Sequence, residues 1–85
     1  SEYPQALWID FLNLDILRFY LAAPERLREV AAALPNNSVI VIDEVQKAPN
    51  ILSEVHGLIE QKRGLKFVLT GSSARKLKRA GVDLL

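Results

Sequence analysis

The sequence contains no cysteine and a single histidine, His56. The absence of cysteine excludes a disulfide framework, a thiolate metal site and a cysteine nucleophile. One histidine is too few for a zinc site built on histidine ligands. The longest apolar stretch, residues 7–23, is interrupted by Asp10, Asp15 and Arg18 and is not a membrane span, and no signal-peptide pattern is present. We therefore expect a soluble, cytoplasmic chain without a membrane partner.

The length and composition of the chain are those of one small globular domain. The chain has 85 residues, of which 49% are hydrophobic and 25% are charged. This balance argues against a disordered tail or a low-complexity linker, and no internal repeat divides the sequence. A chain this short buries only about 60% of the surface that it exposes when unfolded, so we expect a thin core.

The charges are unevenly distributed along the chain. Residues 1–60 carry four basic and nine acidic residues, a net charge of −5, whereas residues 61–80 carry seven basic residues and no acidic one, a net charge of +7. A basic segment of this kind is able to face phosphate in a nucleotide or in a nucleic acid. The other interpretation of residues 61–80 is a solvated helix face, because most charged side chains lie at the surface.

Three short apolar runs predict strands at residues 6–12, 38–42 and 65–70. The second run is the clearest, because it contains four consecutive β-branched residues between a turn and two acids. A continuous run of this kind is typical of a strand that is buried on both faces in a parallel sheet.

Helical patterns connect these strands. Two helices are predicted between the first two strands, one helix between Pro49 and Gly64, and a last helix that carries Leu77. Parallel strands need such crossover connections. The sequence therefore predicts a three-layer α/β fold, a parallel sheet with flanking helices. We expect this fold to be incomplete, because three strands are few for a sheet with a buried interior strand.

Polar side chains follow all three predicted strands at their carboxyl ends, which is where ligands bind in open α/β sheets. If the strands are parallel, these side chains gather at one edge of the sheet. They are Asp10 and Asn13 after the first strand, Asp43 and Glu44 after the second, and Thr70, Ser72 and Ser73 after the third.

The second strand has the form of a Walker B motif, an apolar strand that ends in two adjacent carboxylates. In that role Asp43 would hold Mg²⁺, directly or through water, because this cation prefers oxygen ligands and keeps much of its hydration. Glu44 would polarise the water that attacks a terminal phosphate. The alternative is that both acids only cap the following turn and remain solvated.

The third strand ends in hydroxyl groups. If it neighbours the second strand, Thr70 lies beside the two acids. A polar side chain there, called a sensor-1 residue, can hydrogen-bond the γ-phosphate or the attacking water. The alternative is an ordinary strand end, with Ser72 or Ser73 capping the next helix.

Taken together, the segments VIDEVQKAP (residues 41–49) and LTGSSARKL (residues 69–77) resemble those of prokaryotic ATPases of the AAA superfamily. The resemblance extends through nearly all of the chain. It implies a P-loop NTPase-like core that couples ATP hydrolysis to the work of an attached domain, with ATP and Mg²⁺ as its ligands.

The resemblance also implies roles for individual residues. Asp43 would help to hold Mg²⁺, Glu44 would activate water, and Thr70 or Ser72 would be the sensor. Gln46 lies within the matching segment and receives no role.

One element of that family does not occur in these 85 residues. The phosphate loop has the form G-x-x-x-x-G-K-[ST], and none of the four glycines fits it. We therefore expect residues 1–85 to be a partial AAA-type ATPase domain, from the family's second strand to the helix after its fourth. The chain alone is expected neither to bind nor to hydrolyse ATP.

The missing phosphate-loop strand would lie beside the third strand predicted here. Without it, residues 67–69 are an apolar sheet edge that invites pairing with another chain. We therefore expect self-association through the edge near Phe67.

Two other functions stay open. The chain could be a nucleic-acid-binding module that uses residues 61–80, with an affinity that falls steeply with salt. It could also belong to a helicase-type P-loop motor, where a strand-end Asp-Glu pair and a strand-end Thr also occur. Arg75 and Arg79 are either arginine fingers that reach phosphate across a subunit boundary or solvated helix residues.

Overall fold

The computed structural model describes residues 6–71 and the strand at residues 82–84. The strands are β1 (Leu7–Asp10), β2 (Val39–Asp43), β3 (Lys66–Leu69) and β4 (Val82–Leu84). The helices are α1 (Leu14–Ala22), α2 (Arg26–Ala32) and α3 (Ile51–Glu60), and a short 3-10 helix, Val45–Lys47, follows β2. The three predicted strands and the first three predicted helices are present at these positions.

The strands form one parallel sheet in the order β1-β2-β3-β4. β2 lies in its interior, and Ile40, Val41 and Ile42 are buried there, as the run of β-branched residues predicts. Ile9, Ile42 and Leu69 are in register across the first three strands, so the carboxyl ends of these strands lie at one edge of the sheet. The predicted fold class, a parallel sheet with flanking helices, is confirmed.

Helices α1, α2 and α3 all pack on one face of the sheet. Tyr20, Leu27 and Val55 from the three helices share one buried core with Ile9 and Ile42 of the strands. The reason is topological. Each connection advances by one strand in the same direction, and right-handed crossovers then place their helices on the same side.

The last predicted helix, which carries Leu77, lies outside the described residues. In the described part of the chain the helices form one layer on one face of the sheet. None of the helices in the described part has the length and apolar character that a membrane crossing requires.

β4 corrects the expectation that β3 is an unpaired edge. β4 pairs with β3 in parallel, with Phe67 in register with Val82. The main-chain groups of β3 that face away from β2 thus find partners within the chain, so the edge near Phe67 is not free. A strand of three residues has no periodicity that sequence analysis could recognise.

Arg63, in the loop that follows α3, forms hydrogen bonds with the end of α2 and the residues after it. Its guanidinium donates hydrogen bonds to Ala31 O at 3.0 Å, to Asn36 Oδ1 at 2.9 Å and to Leu34 O. These bonds satisfy carbonyl groups that the end of a helix leaves without partners. Arg63 belongs to the basic segment of residues 61–80, and its guanidinium is hydrogen-bonded within the fold.

Candidate functional site

Asp43 and Thr70 meet at the carboxyl ends of β2 and β3. The Thr70 hydroxyl donates a hydrogen bond to Asp43 Oδ1. The two strands are held at this point by a main-chain bond from Thr70 N to Ile42 O of 3.0 Å. Both side chains are half-buried. The parallel pairing therefore brings together two polar groups that are 27 residues apart in the sequence.

Glu44 has a left-handed backbone conformation, with φ of 57° and ψ of 48°. A non-glycine residue in this region is uncommon and costs on the order of 1 kcal/mol or more. Thr70 supports the conformation from β3, because Glu44 N donates to Thr70 Oγ1 at 3.3 Å and Val45 N donates to Thr70 O at 3.0 Å. The strain is located at Glu44, the predicted catalytic acid, next to Asp43, the predicted metal ligand.

Gln46 lies beside Glu44, and sequence analysis assigned it no role. Its Nε2 donates to Glu44 Oε1 at 2.6 Å. Its Oε1 is buried and has no hydrogen-bond partner among the described residues. The amide fits because Gly71 has no side chain, and a Cβ atom at Gly71 would overlap Gln46 Oε1. Gln46 and Gly71 therefore determine together where the Glu44 carboxylate lies.

Gly71→Ala is expected to displace the Gln46 amide, break its bond to Glu44 and place a side chain at a φ of 156°, which L residues rarely adopt. The lost bond to a charged group and the backbone strain should together lower the free energy of unfolding by about 2–4 kcal/mol. Gly57→Ala is the matched control. A Cβ at Gly57, inside α3, meets no atom within 4 Å, so alanine should stabilise the helix by about 0.5–1 kcal/mol. Urea denaturation measures both changes.

The Gln46→Ala background provides a second control for this interpretation. There, Gly71→Ala should cost less than in the wild type, because the atom it would overlap is gone and only the strain of a side chain at a φ of 156° remains. An equal cost in both backgrounds would mean that the whole cost comes from the backbone conformation.

The remaining predicted positions divide into two groups. Asp10 and Asn13 use their side chains locally: Asp10 Oδ1 accepts from Leu12 N at 2.9 Å, and Asn13 Oδ1 accepts from Asp15 N at 3.0 Å as the N-cap of α1. They shape the turn after β1 rather than point to the pair of Asp43 and Thr70. Ser72, Ser73, Arg75 and Arg79 lie outside the described residues.

The donor atoms at this edge suit a hard cation. They are carboxylate and hydroxyl oxygens, the ligand type that Mg²⁺ prefers. Within residues 6–71 no group of three or more acidic, histidine or cysteine side chains forms a complete metal cage. Mg²⁺ commonly binds through one or two carboxylates and completes its shell with water and substrate phosphates, so a site built on Asp43 fits this ion.

The fold is that of an α/β domain with a parallel, P-loop-like sheet and flanking helices. A family model described as "AAA domain" matches residues 2–85, and the chain belongs to this family. The resemblance to AAA-type P-loop ATPase domains is thereby confirmed. No curated protein and no solved structure matches the chain with significant similarity.

Proposed function

We propose that this domain is part of an enzyme that hydrolyses ATP with the help of Mg²⁺. The observation that carries the proposal is the contact between Asp43 and Thr70 at adjacent strand ends, with the strained Glu44 next to it. Membership of the AAA domain family supports nucleotide binding at the level of the family. The absence of cysteine is in keeping with a cytoplasmic location for this activity.

Asp43 is proposed to hold Mg²⁺ through its carboxylate. When bound, Mg²⁺ would neutralise charge that develops on the phosphates. The hydrogen bond from Thr70 orients the Asp43 carboxylate, so that the rigid β2 and its neighbour β3 present it at a fixed position. A ligand held by two packed strands loses little entropy on binding.

Glu44 is proposed to act as the general base that takes a proton from the attacking water. Gln46 donates to its Oε1, which leaves Oε2 as the oxygen that receives the proton. Strained backbone at a functional residue is a recognised way to fix a reacting group in place. General-base catalysis by a positioned carboxylate contributes roughly 10²–10⁴-fold to a rate.

Thr70 is proposed to act as the sensor of the γ-phosphate, with Ser72 as the second candidate. Its hydroxyl hydrogen is donated to Asp43, so a contact to phosphate requires the hydroxyl to rotate away from that carboxylate. Rotation would also weaken the support that Thr70 gives to the Glu44 backbone. The presence of the γ-phosphate would thereby change the contacts that Thr70 makes with the Asp43 carboxylate and the Glu44 backbone.

The residues that cradle the phosphates are proposed to come from sequence outside these 85 residues, because no G-x-x-x-x-G-K-[ST] motif occurs within them. The test is phosphate release by a protein in which the 85 residues are joined to such a loop, measured with Mg²⁺ and with EDTA. Release that requires Mg²⁺ is expected, and none from the 85-residue chain alone. Absence of Mg²⁺-dependent release from the joined protein would contradict the proposal.

A further inference from the structure

An apolar groove runs along the outer edge of β1. Ile16, Phe19 and Tyr20 of α1 form one wall, Trp8 belongs to the other, and the volume is about 340 Å³. Trp8 is 55% exposed and Phe19 is 44% exposed, which is unusual for large aromatic side chains. Because the groove lies beside β1 and under α1, it occupies the place that the next strand of the sheet would take.

The backbone of β1 has free hydrogen-bonding groups on the same side. Phe11 N donates to Asp43 O at 3.1 Å, so odd-numbered residues of β1 turn their main-chain groups toward β2. The alternation of a strand then turns the N–H and C=O of Trp8 outward. In the described part of the chain, β1 is the first strand of the sheet, and nothing pairs with its outer side.

The polar groups of the groove are few and include an acid. Asp15, in the first turn of α1, lines it together with Tyr20, and burial raises the pKa of the Tyr20 hydroxyl. Within residues 6–71 no Lys or Arg lies within salt-bridge distance of Asp15. The Asp15 carboxylate therefore favours a basic side chain at its end of the groove, whereas the Arg26 guanidinium lies over the Phe19 ring, 4.4 Å from its centre.

We propose that the outer edge of β1 binds an extended peptide strand of a partner protein, with apolar side chains at alternate positions and a Lys or Arg at the end near Asp15. The main chain of the peptide pairs with Trp8 and extends the sheet by one strand. Its apolar side chains enter the groove against Ile16 and Phe19. Main-chain pairing of this kind supplies affinity, and the pockets for alternate side chains supply specificity.

A second copy of this chain is a poorer occupant than a peptide. If two β1 edges paired about a two-fold axis, the two grooves would face each other. Ile9 of each copy is already buried under its own α1 and could not enter the groove of the other. Both grooves would stay unfilled, which forfeits the packing that stabilises an interface.

The probe is a capped, fluorescein-labelled peptide of sequence Val-Thr-Val-Thr-Lys, titrated with the 85-residue chain. Its anisotropy is expected to rise in a saturable way. Trp8 is the only tryptophan in the chain, so its emission reports directly on the groove. The emission should shift to shorter wavelength as the peptide covers the exposed indole.

One variant tests the charged contact, a second tests the main-chain pairing, and a third is the control for the second. Asp15→Lys should weaken binding of this peptide by about tenfold or more, and should tighten binding of Val-Thr-Val-Thr-Glu by a similar factor. Trp8→Pro removes the outward N–H without removing a bond to β2, and should abolish binding. Trp8→Thr loses the same indole but keeps the N–H, and should retain measurable binding.

Three outcomes would overturn the proposal. One is no change in anisotropy with the wild-type chain. Another is equal binding by wild type, Trp8→Pro and Asp15→Lys. The third is a dimer in sedimentation that Trp8→Pro dissociates while no peptide binds, which would assign the edge to a second copy.

Discussion

Glu44→Gln is expected to lower the rate of ATP hydrolysis by roughly 10²–10⁴-fold in the protein that joins these residues to a phosphate loop, because general-base catalysis contributes about that much. Glutamine keeps the size of the side chain and can still accept the bond from Gln46, so the position of the group is retained. What it loses is the ability to take a proton from water. Affinity for ATP should change little, since Glu44 would act on the water rather than on the nucleotide.

Glu60→Gln is the matched control for this experiment. It makes the same chemical change at an exposed position at the end of α3, away from the carboxyl ends of the strands. Its turnover should equal that of the wild type. If Glu44→Gln also retained full turnover while circular dichroism showed a folded protein, Glu44 would not be the base.

Phe11→Ala is expected to lower the free energy of unfolding by about 3–5 kcal/mol, the usual cost of removing a fully buried aromatic side chain. Phe11 is 0% exposed and packs edge-to-face on Tyr20 with 5.9 Å between ring centres. It links β1, α1 and the main chain of Asp43. A small domain has a total stability of only about 5–15 kcal/mol, so this single change should leave a substantial unfolded population.

Phe19→Ala provides the comparison at the same residue type. Phe19 is 44% exposed, and its contacts are the edge of Tyr20 and the Arg26 guanidinium, 4.4 Å from the ring centre. The loss should be about 1–2 kcal/mol, because an exposed cation–π contact contributes about 0.5–1 kcal/mol and an aromatic pair about 0.5–1.5 kcal/mol. Urea titrations of both variants measure the difference, and similar losses would contradict the assignment of Phe11 to the core.

The sequence was most informative at β2, where an apolar strand pattern is followed directly by acidic residues. The β-branched run of β2 predicted a buried interior strand, and the acids that follow it predicted which edge of the sheet carries polar groups. The proximity of Asp43 and Thr70 followed from the assumption that two parallel strands are neighbours. That assumption was physically sound, because strands joined by a single helix usually lie side by side.

The features that sequence analysis missed depend on contacts that no short-range pattern encodes. Gln46 has the composition of an ordinary polar turn residue, and only the fold reveals that its amide rests against Gly71 and binds Glu44. The left-handed backbone of Glu44 is unusual for its residue type and is imposed by the bonds to Thr70. A glycine two residues after a strand and a glutamine two residues after an acid were the available signals.

The parallel topology also determines at which stage of folding the contacts among Asp43, Glu44 and Thr70 can form. Leu7 pairs with Ile40, and Thr70 reaches back 27 residues to Asp43, so every strand pairing joins distant parts of the chain. Such non-local contacts form late, because the entropy of closing the loop is lost before the contact is gained. A chain in which β3 has not yet docked lacks the bonds from Thr70 that hold the Asp43 carboxylate and the backbone of Glu44.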